Sequence, residues 1–227
     1  MDPQNPVVRL CGEGMQAEAQ GRADDARALF LRAWESATDD YDACVAAHYL
    51  ARHQPTPAET LRWNQECLRR ADAVGDERVS AFYPSLHLNL GQAHRDLGDT
   101  AAAREHFSRA AEHMGDVPPG PYADWTRYAI AQGLRDTARA PAARAGDEAL
   151  AGLLASLCAR ADLKALAVLL PAYVGDLGTD EDRARLTTAL HMLHAGRSLP
   201  GEEQATAARA LADLADPATS GRVARAM

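Results

Sequence analysis

Lysine is almost missing from this chain of 227 residues: Lys164 is the only one, and arginine carries the rest of the positive charge. With a formal net charge of −8, there is no cationic surplus to meet a phosphate backbone. That excludes a general nucleic-acid binder. Aromatic residues make up only 5% of the chain, and valine and isoleucine are sparse. No alternating run of strand length stands out, so the pattern does not favour a sheet. Cys11, Cys44, Cys67 and Cys158 lie too far apart for a C-x2-C metal pair or a dense disulfide framework. They are expected to be reduced thiols, mostly in the core. Long apolar runs are lacking too. The longest, residues 165–174, is about half a membrane span and follows Arg160, Asp162 and Lys164. Residues 1–6 carry neither a basic leader nor an apolar segment, so a cytoplasmic protein without membrane contact is expected. There is no G-x-S-x-G, no P-loop, and no strand followed by G-x-G-x-x-G. No cofactor, metal or catalytic group is expected, and an enzyme is the less favoured class.

What the chain does have is alanine, leucine and arginine at helical spacing. Between Pro84 and Gly115 stand Leu90-Gly91, His94, Gly98, Ala103, Phe107 and Ala110. Gly91 falls inside a helix, where its cost of about 1 kcal/mol must be offset by close packing. Gly98 can close that helix in a left-handed conformation, and Asp99 or Thr100 can cap the next. Ala103 leaves room at the crossing, and Phe107 fills the gap. The same pattern occurs over residues 7–38, where Gly14, Gly21, Ala26, Phe30 and Ala33 fall in register with Gly91, Gly98, Ala103, Phe107 and Ala110. Glu13 departs from it, standing where the other copy has Leu90. These residues resemble a tetratricopeptide repeat. The resemblance implies an all-α protein, an α-solenoid of helix–turn–helix repeats.

The remaining segments extend that reading. Residues 39–75 form a divergent pair, with a helix from Asp40 to His53, a break at Gln54-Pro55-Thr56-Pro57, and a second helix to Val74 capped by Thr56. Residues 77–97 predict one long helix through Val79, Phe82, Leu86, Leu90 and Leu97. After Pro118-Pro119-Gly120-Pro121, the spacing of Trp125, Tyr128, Ala129 and Gln132 gives a fourth first-helix pattern. Its second helix is hard to place, because residues 137–146 are rich in alanine and arginine and contain Pro141. Leucine-rich helices follow over 147–160, 162–174 (with a kink at Pro171), 180–195 and 200–214. The expectation is a repeat region over 7–137 and a C-terminal helical bundle, or diverged repeats, over 147–227. The composition resembles that of a high-GC bacterium.

By the resemblance, the first helix of each repeat lines a concave groove. Its exposed positions would be Ser85, Leu88, Asn89, Gln92, Arg95 and Asp96 in the clear repeat. The divergent pair would offer Val45, Tyr49, Arg52 and His53, and the first repeat Val8, Cys11, Met15 and Glu18. The asparagine before Leu-Gly often holds a peptide backbone in this family, and Asn89 matches it. Such a groove would take an extended or helical peptide, with Arg52 and Arg95 pairing its carboxylates. The lysine and asparagine clamp of chaperone-binding relatives is not reproduced. His191 and His194 sit three apart, but no third metal ligand shows at matching spacing, so a structural role is expected. His87 and His94 share a helix face, with His94 packed, while His106 and His113 read as solvated. The function implied is a protein-interaction adaptor. The alternatives are a small-molecule receptor or biosynthetic enzyme in the same concavity, or a sensor acting through a separate DNA-binding partner. The C-terminal helices would cap the solenoid or offer a surface for a homodimer.

Overall fold

Helix caps set the boundaries seen in the structure, a computed structural model that describes residues 4–138 and 147–215. The described residues form helices and contain no strand. The Asn5 side chain accepts from the amides of Val7 and Val8 and starts α1 (Pro6–Ala19). α2 (Ala23–Glu35) follows a turn in which Gly21 has φ +72°. Asp39 caps α3 (Asp40–Ala51), and Thr56 with Pro57 opens α4 (Pro57–Val74), as the sequence predicts. α4 closes on left-handed Gly75.

The long helix expected over 77–97 is instead two, α5 (Glu77–Ser80) and α6 (Tyr83–Asp96). Pro84 has no N–H to donate to the Ser80 carbonyl, so the ladder cannot run through that point. Gly98 (φ +79°) ends α6, and Asp99 caps α7 (Thr100–Glu112) by accepting from Ala102, both as expected. A short 3-10 turn, Met114–Asp116, leads towards α8 (Pro121–Asp136). The second helix sought over 137–146 lies largely outside the described residues.

Two compact units result, Met1–Thr137 and Ala138–Met227. In the first, α1 pairs with α2, α3 rests on both, and α3 pairs with α4. α6 then packs on α4, α7 pairs with α6, and α8 lies against both α6 and α7. Phe30 and Phe107 are wholly buried. Each is worth about 1.5–3 kcal/mol of burial. A Cβ on Gly14 would collide with the Phe30 ring. One on Gly91 would sit 2.6 Å from Phe107, and one on Gly133 would meet the same ring at 2.6 Å. The missing side chains therefore let the helices approach with an aromatic ring between them.

The second unit contains α9 (Asp147–Ala159), α10 (Leu163–Val174), α11 (Asp180–Gly196) and α12 (Gly201–Ala215). Leu153, Leu157, Leu169 and Leu190 form its core, and α10 runs on through Pro171. Buried Glu203 on α12 accepts from Ser156 at 2.6 Å and from Arg160 at 2.9 Å, tying α12 to the end of α9. His194 bonds Gln204 through Nδ1, while His191 faces solvent. Thr179 and Asp182 form a capping box, and the Asp182 carboxylate also accepts from the Leu177 amide at 3.1 Å. Asp182→Ala should cost about 2 kcal/mol, because it leaves the part-buried Leu177 and Thr179 amides without their acceptor. Urea denaturation would measure it, and a loss below about 0.5 kcal/mol would contradict this role.

Candidate functional site

The residues expected to line a groove divide into two groups and a buried remainder. The first group is built where α3 meets α1 and α2. Arg52 at the end of α3 donates from Nη2 to Glu18 of α1 at 2.6 Å. His53 Nε2 donates to the other Glu18 oxygen at 2.7 Å. The Arg52 guanidinium sits 5.0 Å above the Tyr49 ring. Tyr49 in turn stacks on Phe30 with centroids 5.1 Å apart. The same Phe30 that fills the gap left by Gly14 thus supports the exposed arginine through one tyrosine. The core and the surface are coupled here.

Electrostatics follow from this layering. Burial raises the Tyr49 pKa, helped by Cys11, Glu18 and the Tyr122 hydroxyl and opposed by Arg52. Burial pushes the Cys11 thiol up to about 12, so it is a protonated core group and not a nucleophile. Burial, then Arg52, holds His48 down to about 4, so its imidazole is neutral.

The second group joins α6 to α8. Arg95 donates to Asp136 at 3.1 Å, and Gln132 donates to the other oxygen of that carboxylate at 2.6 Å. Asn89 and Gln92 are half-buried on the same helix as Arg95. The Asn89 carbonyl accepts a long 3.5 Å bond from Asn64. Among the described residues, no protein group bonds the side-chain amides of Asn89 or Gln92.

Four expected groove residues are not at the surface. Leu88 is 1% exposed, and Val45, Cys11 and Ser85 are also buried. α6 is covered by α4, α7 and α8, which leaves no open side for Leu88 and Ser85. Val45 and Cys11 belong to the core formed with Val7, Leu10 and Phe30. Leu88 is therefore a packing residue. Conversely, Tyr122 and Trp125 at the start of α8 are 54% and 59% exposed. Trp125 fits a repeat-packing position in the sequence, but its ring stands in solvent. Being three apart, the two rings share a face. Tyr122 is near enough to Tyr49 to act on its hydroxyl. Exposed Met15 adds apolar surface one turn before Glu18.

Elsewhere, Trp34, Asp39, Asp40 and Arg70 line part of an open depression of about 510 Å³. Among the described residues, no three His, Cys, Asp or Glu side chains converge as metal ligands. No described helix is long and apolar enough to cross a membrane. Comparison with known proteins gives no match to any family model, any curated protein or any solved structure.

Proposed function

We propose that the first unit is a tetratricopeptide-like solenoid, an adaptor that receives an acidic, partly apolar segment of another protein. The segment would lie against the face carrying Met15, Tyr49, Arg52, Asn89, Gln92, Arg95, Tyr122 and Trp125. The observation that carries this reading is the exposure of Tyr122 and Trp125 on the helix whose Tyr122 lies close enough to Tyr49 to raise its pKa. Large exposed aromatics beside arginines are the side chains that dominate protein interfaces. The Asn89 and Gln92 amides, which no other group bonds among the described residues, can take an extended backbone. Arg52 engages Glu18 through one nitrogen, so its fork retains donors for an incoming carboxylate.

A display library of short peptides tests this on the full chain. Sequences combining Asp or Glu with large apolar residues should be enriched, and their binding should weaken with salt. Enrichment of neither acids nor apolar residues would overturn the proposal.

A further inference from the structure

The face of the α6–α7 hairpin carries four histidines, and their rings form one continuous stack. His94 stacks on His106 with centroids 5.3 Å apart, and His106 stacks on His87 at the same separation. His87 continues to His113 at 6.1 Å, and His113 stacks on Tyr83 at 5.0 Å. The rings alternate between the helices, so the stack crosses the helix–helix interface. At its centre, Nδ1 of His87 and Nδ1 of His106 are 3.1 Å apart. One of those nitrogens must donate and the other accept, which requires at least one neutral ring. His87 is 5% exposed. Among the described residues no third ligand joins this pair to hold a metal, so its chemistry is that of protons.

The surrounding charges do not rescue a doubly charged centre. Around His87 stand His106, Arg109 and His113 from α7, with Asp72 of α4 acting in the opposite direction. Asp72 already accepts from the Tyr83 hydroxyl at 2.9 Å. Around His106 stand His94, Arg109 and Glu105, the last paired with Arg109. Asp99 and Asp116 lie beside His94 and His113 at the two ends. On α8, Asp136 is held by Arg95 and Gln132.

We propose that the α6–α7 hairpin is an acid-released latch. Stacked imidazoles hold it closed while the central pair is neutral, and protons open it by placing like charges on adjacent rings. Opening would separate Phe107 from Gly91, because those residues sit on the same two helices.

The direction in pH follows from burial. Burial, with His106, Arg109 and His113, holds His87 down to about 4 from an ordinary 6.5, and burial with His94 lowers His106. Below 6.5 the unfolded chain takes protons that the folded hairpin refuses. Stability is therefore full above that pH and falls as pH drops towards about 4. For His87 alone the unfolding constant would rise by up to about 300-fold across that window.

Hydrogen exchange on the full chain, followed from about pH 7 to pH 5, tests the latch. Amides of α6 and α7 should lose protection before those of α1, α2 and the second unit. In His87→Asn/His106→Asn the dependence should flatten, whereas His48→Asn, which removes the buried imidazole of α3, should leave it in place. Uniform loss along the chain, or an unchanged slope in the double variant, would overturn the proposal. Should the double variant not fold, ring-proton titration of the unaltered protein decides. Within the hairpin His87 and His106 should both titrate below an ordinary 6.5, and four ordinary midpoints there would overturn it.

Discussion

Replacing Gly91 with leucine should lower the thermal midpoint of the first unit by about 10 °C or more, reflecting a loss of about 3 kcal/mol. The reason is confinement. A Cβ at Gly91 would lie 2.6 Å from the Phe107 ring, and one at Gly133 on α8 would meet the same ring at the same distance. The ring cannot retreat from one helix without meeting another. Overpacking usually costs about 1–3 kcal/mol, and a ring held on two sides belongs at the upper end. Against a domain stability of about 5–15 kcal/mol, that is a large fraction. Two glycines of α1 supply the comparison. Gly12 has open space where its Cβ would be, so Gly12→Ala should stabilise by about 0.5–1 kcal/mol through helix propensity. Gly14 faces the Phe30 ring, which is backed by Tyr49 and His53, so Gly14→Ala should destabilise. Thermal unfolding of these variants is the check. An unchanged midpoint for Gly91→Leu would contradict the packing described here.

The second large effect is expected in binding rather than stability. Tyr122→Ala with Trp125→Ala should weaken capture of an enriched peptide by about 30-fold or more, since even one aromatic anchor at an interface centre carries about 2 kcal/mol. Arg52→Ala with Arg95→Ala should weaken it further for acidic peptides and abolish most of the salt dependence. Neither pair should move the thermal midpoint much. The Arg52–Glu18 and Arg95–Asp136 pairs are exposed, and exposed ion pairs contribute about 0–1 kcal/mol. Titration calorimetry separates the two outcomes. Retained affinity in both variants would place the binding face elsewhere.

Local rules were legible in the chain because they act over a few residues. Thr56 before Pro57, Gly98 with its positive φ, and Asp99 as a cap each follow from nearby backbone chemistry. The register of Gly14 with Phe30 and of Gly91 with Phe107 could also be read, since each pair lies within one hairpin. Depth could not. Helical spacing places Leu88 on a face, but whether that face stays open depends on α4 and α8 both lying against α6. The same applies to Trp125, whose spacing fits a packed position although its ring is exposed. Gly133 makes its contact with Phe107 from a third helix, beyond the reach of a pairwise pattern. His106 looks solvated by its own neighbours in sequence, yet His87 and His94 from the opposite helix enclose it. Pro84 was visible, but a strong apolar period obscured the break that its missing N–H imposes.

Rings fill the space that glycines leave between helices, and a double-mutant cycle on Gly91 and Phe107 tests this most directly. Gly91→Ala, Phe107→Leu and the double variant would each be unfolded in urea. The predicted result is strong coupling: alanine at position 91 should cost at least about 1 kcal/mol less once leucine replaces the ring. Losses that simply add, to within about 0.5 kcal/mol, would mean that Gly91 and Phe107 do not share that space, contradicting the account.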